Sequence, residues 1–293
     1  MIDFLKYRWL MAVYSLCIMG SFVGVYIYKQ RTRGEAFTYG VDFTGGTQAL
    51  LKFNKPVSSQ QIKEILEKEG WANPVTRDFS SQEILIRLKE FSNDVKGLGE
   101  KIQLALQKSI PETEVSILQV EGVGAGVGAE LRWKSMRAVL IALLAMLLYI
   151  AFTFWSFAFA MGAVIALFHD SIIMLATFLF LDREISVNVI GAILAVLGYS
   201  INDTIVIFDQ IRDNIKKMKH ASLYEIVNAS INKTLRRTLL TSFSTALTVG
   251  SMFILGGEAL RDFSLALLVG IVFGTYSSIY IASPIMMLFY KEK

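Results

Sequence analysis

Apolar residues in this chain fall in long unbroken blocks, interrupted by one mixed segment that follows the first block. A helix needs about 20 mostly apolar residues to cross the hydrocarbon core of a bilayer. Trp9–Tyr28 meets that length with no internal charge, and 138–181 is apolar for long enough to cross twice. The break in the longer block is predicted at Phe154-Trp155-Ser156-Phe157, whose aromatic rings suit a membrane interface. Val187–Phe208, Thr238–Leu255 and Ser264–Tyr290 supply three more spans, six in all. The first block is too long for a signal-peptide core and has no A-x-A-like site after it, so it is expected to remain as a span.

The mixed segment, 29–133, has the local pattern of a small α+β domain. Thr47–Phe53 reads as a strand, and Ser58-x-x-Gln61 as a capping box opening a helix that stops at Gly70. Val75–Phe79 and Ile84–Leu88 alternate as strands around a Ser80-Ser81-Gln82 turn. Val95–Lys108 reads as a second helix, ended by Pro111, and Glu114–Val120 as a last strand. The expected fold is a polytopic α-helical membrane protein with six transmembrane helices and one small ferredoxin-like α+β domain. The divisions are 1–28, 29–133 and 134–293, the last holding five spans and a loop at 209–237.

Composition supports this and removes other classes. Of 293 residues, 54% are hydrophobic and 18% charged, with a mean hydropathy of +0.49. Soluble domains average roughly 25% charged, so a soluble enzyme, a disordered chain and a nucleic-acid binder are all disfavoured. One cysteine, Cys17, with His169 and His220, leaves no material for an internal disulfide or a dedicated metal centre. No cofactor is expected.

The formal charge of +4 matters through its placement. Segment 29–133 holds 14 basic and 14 acidic residues, whereas 209–237 holds seven basic against three acidic. Lys6, Arg8, Lys291 and Lys293 flank the termini, while the short loops 182–186 and 256–263 carry one basic residue each, Arg183 and Arg261. Lys and Arg in short loops favour the cytoplasmic side. Both termini and 209–237 are therefore expected inside and 29–133 outside, with Lys134 and Arg137 as exceptions to the rule.

Charges within the spans are the natural place for chemistry. Asp170 is expected near the middle of the third span, about 18 Å from its cytoplasmic end, and Asp203 about 8 Å from that end of the fourth. An ionised carboxylate in hydrocarbon must pair, protonate or face water, which makes these two acids candidates for a proton path. Helix-end solvation is the plainer reading for Asp203, and a structural hydrogen-bonding role for Asp170. Asn202 and the small residues Gly191, Ala195 and Gly198 suggest a packed polar interior beside Asp203. His169 adjoins Asp170 but points about 100° away on a helix, so a relay between them is not expected.

Arg237 opens the fifth span and heads a hydroxyl face of Thr241, Ser244, Thr245 and Thr248, which either packs or lines a wet path. An Asp203–Arg237 ion pair broken by protonation would make a switch, since one charge crossing 100 mV releases about 2.3 kcal/mol. Gly124-x-Gly126-x-x-Ala129 mimics a dinucleotide fingerprint but is read as a hinge in a linker, and no P-loop pattern occurs. Gly270-x-x-x-Gly274 points to close helix packing, and Asp209 with Arg212 to a surface pair.

At these residues the sequence resembles the SecF proteins of the SecD/SecF family, in the RND superfamily, over nearly its whole length. Gly40-Val41-Asp42-Phe43-Thr44-Gly45-Gly46-Thr47 is similar to the motif that follows the first span, and Val123-Gly124 through Gly128-Ala129-Glu130-Leu131 to the motif before the second. His169-Asp170, Gly198 through Thr204, Phe208 through Asn214 and Arg237-Thr238-Leu239 match further stretches in order and spacing. Ala125, Gln210 and Thr153 depart from the pattern, the first standing where Pro is usual.

The resemblance implies a non-enzymatic, proton-motive-force-coupled accessory subunit of the Sec translocase in the bacterial inner membrane. It would work with SecD and the SecYEG channel, with SecA and possible YajC and YidC contacts, on unfolded polypeptide, without nucleic acid. Asp203, Arg237 and Asp170 are its expected proton-coupling residues, supported by Asn202 and Thr241. Asp42, Gly45 and Gly46 form the motif opening the outer domain, and Gly122, Gly124, Gly126 and Gly128 a hinge. Two rivals stand beside it. A small-molecule or lipid exporter of the superfamily would usually have twice the spans, and an aspartyl protease would bring signatures that Asp170 and Asp203 lack.

Overall fold

Among the described residues, six helices are long and apolar enough to cross a membrane. The computed structural model describes residues 1–290 except Asn73, Phe79 and Asn93 and the side chains of Glu258 and Ala259. The predicted strand end at Phe79 and the basic Lys291 and Lys293 therefore lie outside the described residues. The chain divides into two compact units, Met1–Thr38 with Met136–Lys293, and Tyr39–Ser135.

Helix α1 (Arg8–Arg33) follows a 3-10 turn at Leu5–Tyr7 and ends at Gly34, whose φ of 81° forms a left-handed cap. Its only buried residues are Ser15 and Lys29. The helix is thus attached by polar contacts and leaves most of its apolar surface free for lipid, where apolar contact brings no hydrophobic gain between helices. Lys29 Nζ donates to Leu179 O at 2.6 Å and to Asp182 Oδ1 at 2.9 Å. Arg33 Nη1 adds a bond to Asp182 Oδ2 at 2.7 Å. Hydrogen bonds from Arg33 and then Lys29 hold the Asp182 carboxyl below the usual carboxylate range.

In the second unit, a one-turn helix at Val41–Thr44 leads into β1 (Gly46–Phe53), α2 (Ser59–Lys68), β2 (Val75–Asp78), β3 (Glu83–Leu88), α3 (Val95–Ser109) and β4 (Val115–Val123). The antiparallel sheet has the order β2-β3-β1-β4. A βαββαβ run with that order is the predicted ferredoxin-like arrangement. Leu51, Phe53, Ile62, Leu66, Ile86 and Ile102 fill the core between sheet and helices. Ser58 caps α2 through the Gln60 amide at 3.3 Å, and Asp78 binds the amide and hydroxyl of Ser59. Gln61 is therefore not the reciprocal partner its spacing suggested.

The remaining spans are α4 (Ala125–Phe154), α5 (Phe157–Phe180), α6 (Val187–Lys217), α7 (Leu223–Leu255) and α8 (Gly257–Ser277). A π-helical turn at Ser278–Ala282 continues α8 into α9 (Ser283–Phe289), so that Leu260–Phe289 forms one span. The break between α4 and α5 falls at Trp155-Ser156 as expected, with Trp155 at φ 47°. About half or more of α5, α6 and the last span is buried, against a small minority of α1, α4 and α7. The polar interior is consequently built on α5, α6 and α8. Gly274 lets α8 approach α6, since a Cβ there would stand 3.0 Å from Ser200, and Gly270 meets Val196 in the same way.

Helices run further than the apolar blocks. Of 209–237 only Met218–Ser222 is non-helical, and 256–263 is helical from Gly257. Arg237 therefore lies well inside α7 and does not open it. Charge keeps a segment out of hydrocarbon but does not end a helix, because Lys, Arg and Glu are good helix formers. Lys216 and Lys217 suit the C-terminus of α6, and Ser222 with Glu225 forms a capping box that starts α7. Asp209 and Arg212 pair at 2.5 Å as expected.

Candidate functional site

Asp170 is fully buried, at 0% exposure, and its carboxylate is saturated. Ser200 Oγ on α6 donates to Oδ2 at 2.6 Å, and Ser277 Oγ on α8 donates to the same oxygen at 2.9 Å. His169 Nδ1 on α5 lies 3.1 Å from Oδ1. Three donors from three helices satisfy a buried carboxylate as a low-dielectric interior requires. The expectation that His169 points away is thus overturned. Neighbouring helical side chains do not face each other in general, but the Nδ1 side of a buried imidazole reaches back far enough.

The network continues to α1. His169 Nε2 lies 3.1 Å from Ser15 Oγ, Ser15 Oγ lies 3.0 Å from the Tyr276 hydroxyl, and that hydroxyl donates to Met11 O at 2.7 Å. A carbonyl can only accept, so the single Tyr276 proton is committed. Ser15 must then donate to Tyr276, and His169 Nε2 must donate to Ser15. With Nε2 protonated, the Nδ1–Oδ1 link also holds one proton, on one side or the other. The His169–Asp170 pair is neutral as a unit in either placement, which is the cheapest state for two ionisable groups out of water.

Asp203 is equally removed from solvent but poorly served. It is 3% exposed, and its one side-chain hydrogen bond is from Ser242 Oγ on α7 at 3.3 Å. That hydroxyl accepts from the Tyr199 hydroxyl at 3.4 Å and lies 2.7 Å from Thr275 Oγ1, so Thr275 and Asp203 compete for its one proton. A carboxylate in this position has few partners for its charge. Asp170 and Asp203 share no donor, unlike a protease dyad that holds one proton between two acids.

The other residues expected beside Asp203 are placed differently. Arg237 is exposed and lies five residues, about 7.5 Å along the α7 axis, from Ser242. Among the described residues it makes no direct salt bridge with Asp203, although its charge acts on that carboxylate through space, so the expected pairing is present as an electrostatic interaction without contact. Asn202 is exposed, as are Gly191, Ala195 and Gly198, so this stripe lies on the outside of the chain and not in a packed interior. One residue is 100° of helix, and burying Asp203 turns Asn202 outward. Thr241 donates to the carbonyls of Arg237 and Thr238, and Thr245 and Thr248 likewise bond to their own helix. The neighbouring Ser242 is the hydroxyl that reaches the acid. Ser200 could have been found from its i,i+3 spacing to Asp203 on α6, whereas Ser15, Ser242 and Ser277 carry no local signal.

Gly45, Gly46, Gly122 and Gly128 are close-packed in the Tyr39–Ser135 unit, whereas Gly124 and Gly126 have room for a side chain. Gly45 has φ 74° and Gly46 φ 112°, both in the region that favours glycine. A Cβ on Gly45 would stand 2.7 Å from Ala125 Cα, and one on Gly46 would overlap Leu88 O. Asp42 belongs to the preceding one-turn helix. The expected hinge is mostly regular structure. Gly122 pairs with Thr47 in the sheet, Gly126 and Gly128 lie in α4, and only Gly124 stands between β4 and α4. A Cβ on Gly128 would stand 3.0–3.1 Å from the backbone of Phe43 and Gly45. The Gly124-x-Gly126-x-x-Ala129 run thus does join a strand to a helix, although β4 is antiparallel to its neighbour and belongs to no parallel βαβ unit. Ala125 is the first residue of α4, the position where proline is favoured and alanine is accommodated.

The chain was compared with known families and structures. Residues 103–292 match the family described as Protein export membrane protein SecD/SecF, C-terminal, and residues 36–57 match the SecD/SecF GG motif. The Protein translocase subunit SecF of Thermodesulfovibrio yellowstonii is 37% identical, over 99% of this chain and 95% of that protein. The SecF of Vibrio alginolyticus is 42% identical, over 85% and 79%. A crystal structure of SecDF, a translocon-associated membrane protein from Thermus thermophilus, superposes with a TM-score of 0.86 at 36% identity. That match covers 98% of this chain and 38% of SecDF. The shared GG motif, the six spans and near full-length identity to SecF proteins lead to one conclusion: this chain is a multi-pass membrane protein belonging to the SecD/SecF family.

Proposed function

We propose that the chain is the six-span SecF-type half of an accessory complex of the Sec translocase, driven by the proton-motive force. In this reading it pairs with SecD beside the SecYEG channel in the bacterial inner membrane. SecA, YajC and YidC belong to the wider assembly, and the translocating unfolded polypeptide is the cargo. Both termini face the cytoplasm and 29–133 lies outside. The chain performs no chemical catalysis of its own and uses no cofactor. Pairing with SecD is supported by the SecDF match, in which this chain accounts for 38% of a longer polypeptide.

The observation that carries the proton reading is the condition of Asp203, buried with one long and contested hydrogen bond. An ionised carboxylate so placed must acquire a proton, water or a cation. Protonation leaves it compatible with the present arrangement. Deprotonation draws a cation toward it, and Arg237, five residues before Ser242, is the nearest basic residue along α7. Movement of α7 relative to α6 then alternates two packings of the bundle, as a charge-operated switch requires. The test is export of a secretory protein by membranes carrying Asp203→Asn, with and without an imposed proton gradient. Gradient-stimulated export should be lost, and unimpaired stimulation would overturn the proton role.

A further inference from the structure

Between α1 and the final span lies an apolar slot of about 310 Å³. Trp9 and Ala12 line one wall, and Tyr280, Pro284 and Leu288 the other. It separates two elements of the same unit. A volume of this size is at the lower end for ligand pockets, which are mainly apolar with a few placed polar groups. An apolar cavity does not hold ordered water, and an empty one would forfeit dispersion contacts along both walls.

One end of the slot is Arg8. Its guanidinium lies over the rings of Trp9 and Tyr224, at 5.8 and 5.4 Å. Among the described residues it has no carboxylate partner. Asp3 accepts from the Tyr224 hydroxyl at 2.6 Å and from the Lys6 amide, and Glu225 is engaged in the α7 capping box. Arg8 is also the last charge before the apolar run of the first span, which sets it at headgroup level while the slot runs alongside hydrocarbon. Cation at the membrane surface and apolar channel below repeat the layout of a lipid.

We propose that this slot is a binding site for an anionic glycerophospholipid, with the phosphate at Arg8 and an acyl chain between α1 and the last span. This does not depend on the translocase reading. The site would fix α1, whose only buried residues are Ser15 and Lys29, more firmly to the rest of the membrane unit. It would also make that attachment depend on lipid composition.

The test uses the full chain in nanodiscs of equal phosphatidylglycerol and phosphatidylcholine, with retained lipids counted by native mass spectrometry. Wild type should retain phosphatidylglycerol over phosphatidylcholine. Arg8→Gln should cut that preference about fivefold, the effect of one basic residue near a charged membrane surface. Arg8→Lys should keep most of it, and Lys6→Gln, on the exposed flank, should leave it unchanged. Ala12→Phe, which fills the slot, should lower retention of both lipids. Equal retention of the two lipids by wild type would overturn the proposal. So would an unchanged preference in Arg8→Gln, an equal loss in Lys6→Gln or in Arg8→Lys, or full retention in Ala12→Phe.

Discussion

Asp170 and Asp203 are both buried acids on the central helices, yet their surroundings differ in kind. Asp170 accepts from Ser200 and Ser277 and shares a proton with His169, so every lone-pair direction that matters is used. Asp203 has one hydroxyl at 3.3 Å, and that hydroxyl has other partners. A saturated carboxylate holds helices together, because removing it breaks bonds to groups on three helices at once. An under-served carboxylate changes state easily, because neither of its protonation states is locked by the neighbours. Burial alone does not distinguish structural from functional acids; the count of donors does.

The largest effect separating the two should come from truncation. Asp170→Ala removes the partner shared by Ser200, Ser277 and the Nδ1 side of His169 and should destabilise the membrane unit by about 3–5 kcal/mol, read as detergent-phase thermal unfolding. Asp203→Ala should cost about 1 kcal/mol or less in the same assay, since it strands no well-made bond. Equal losses would dissolve the distinction. Gly46→Ala tests the outer unit instead: its positive φ and the overlap with Leu88 O should cost about 2 kcal/mol or more, seen as unfolding of the α+β domain.

Smaller effects sharpen the picture. Ser242→Ala removes a long, shared hydrogen bond and should change stability by under about 1 kcal/mol while lowering gradient-stimulated export. A large stability loss without an export phenotype would make Ser242 a structural residue. Asp182→Asn should weaken the far attachment of α1, where Lys29 and Arg33 meet. Because the folded-state value of Asp182 is lowered, its contribution is complete above the unfolded carboxylate range and fades as pH falls through the lowered value. Wild type and Asp182→Asn should therefore differ in stability at neutral pH and converge in strong acid.

Much of this architecture was legible in the sequence. Block length predicted all six spans, and period-two alternation with turn residues predicted the four strands and their ferredoxin-like order of elements. Helix ends were less legible, because 209–237 reads as a charged loop while helix propensity and a capping box carry α6 and α7 through it. Asp203 and Asp170 stood out as charges inside apolar runs. Their partners did not, because Ser15, Ser242 and Ser277 are ordinary membrane-helix residues until tertiary packing places them. Asn202 and Thr241 show the cost of a one-residue error on a helix, where 100° separates an interior group from a lipid-facing one. The glycines near 45 and 124 were visible as special positions, but only the tertiary contacts identify Gly45, Gly46 and Gly128 as sites of close packing.

The central claim is that Asp203 exchanges a proton while the Asp170 site does not. Difference infrared spectroscopy of the protein in liposomes, as the internal and external pH are varied, reads carboxyl protonation directly. The account predicts a protonated-carboxyl band that changes with the gradient, disappears in Asp203→Asn and persists in Ser200→Ala. A band that is insensitive to the gradient, or that survives in Asp203→Asn, would contradict it.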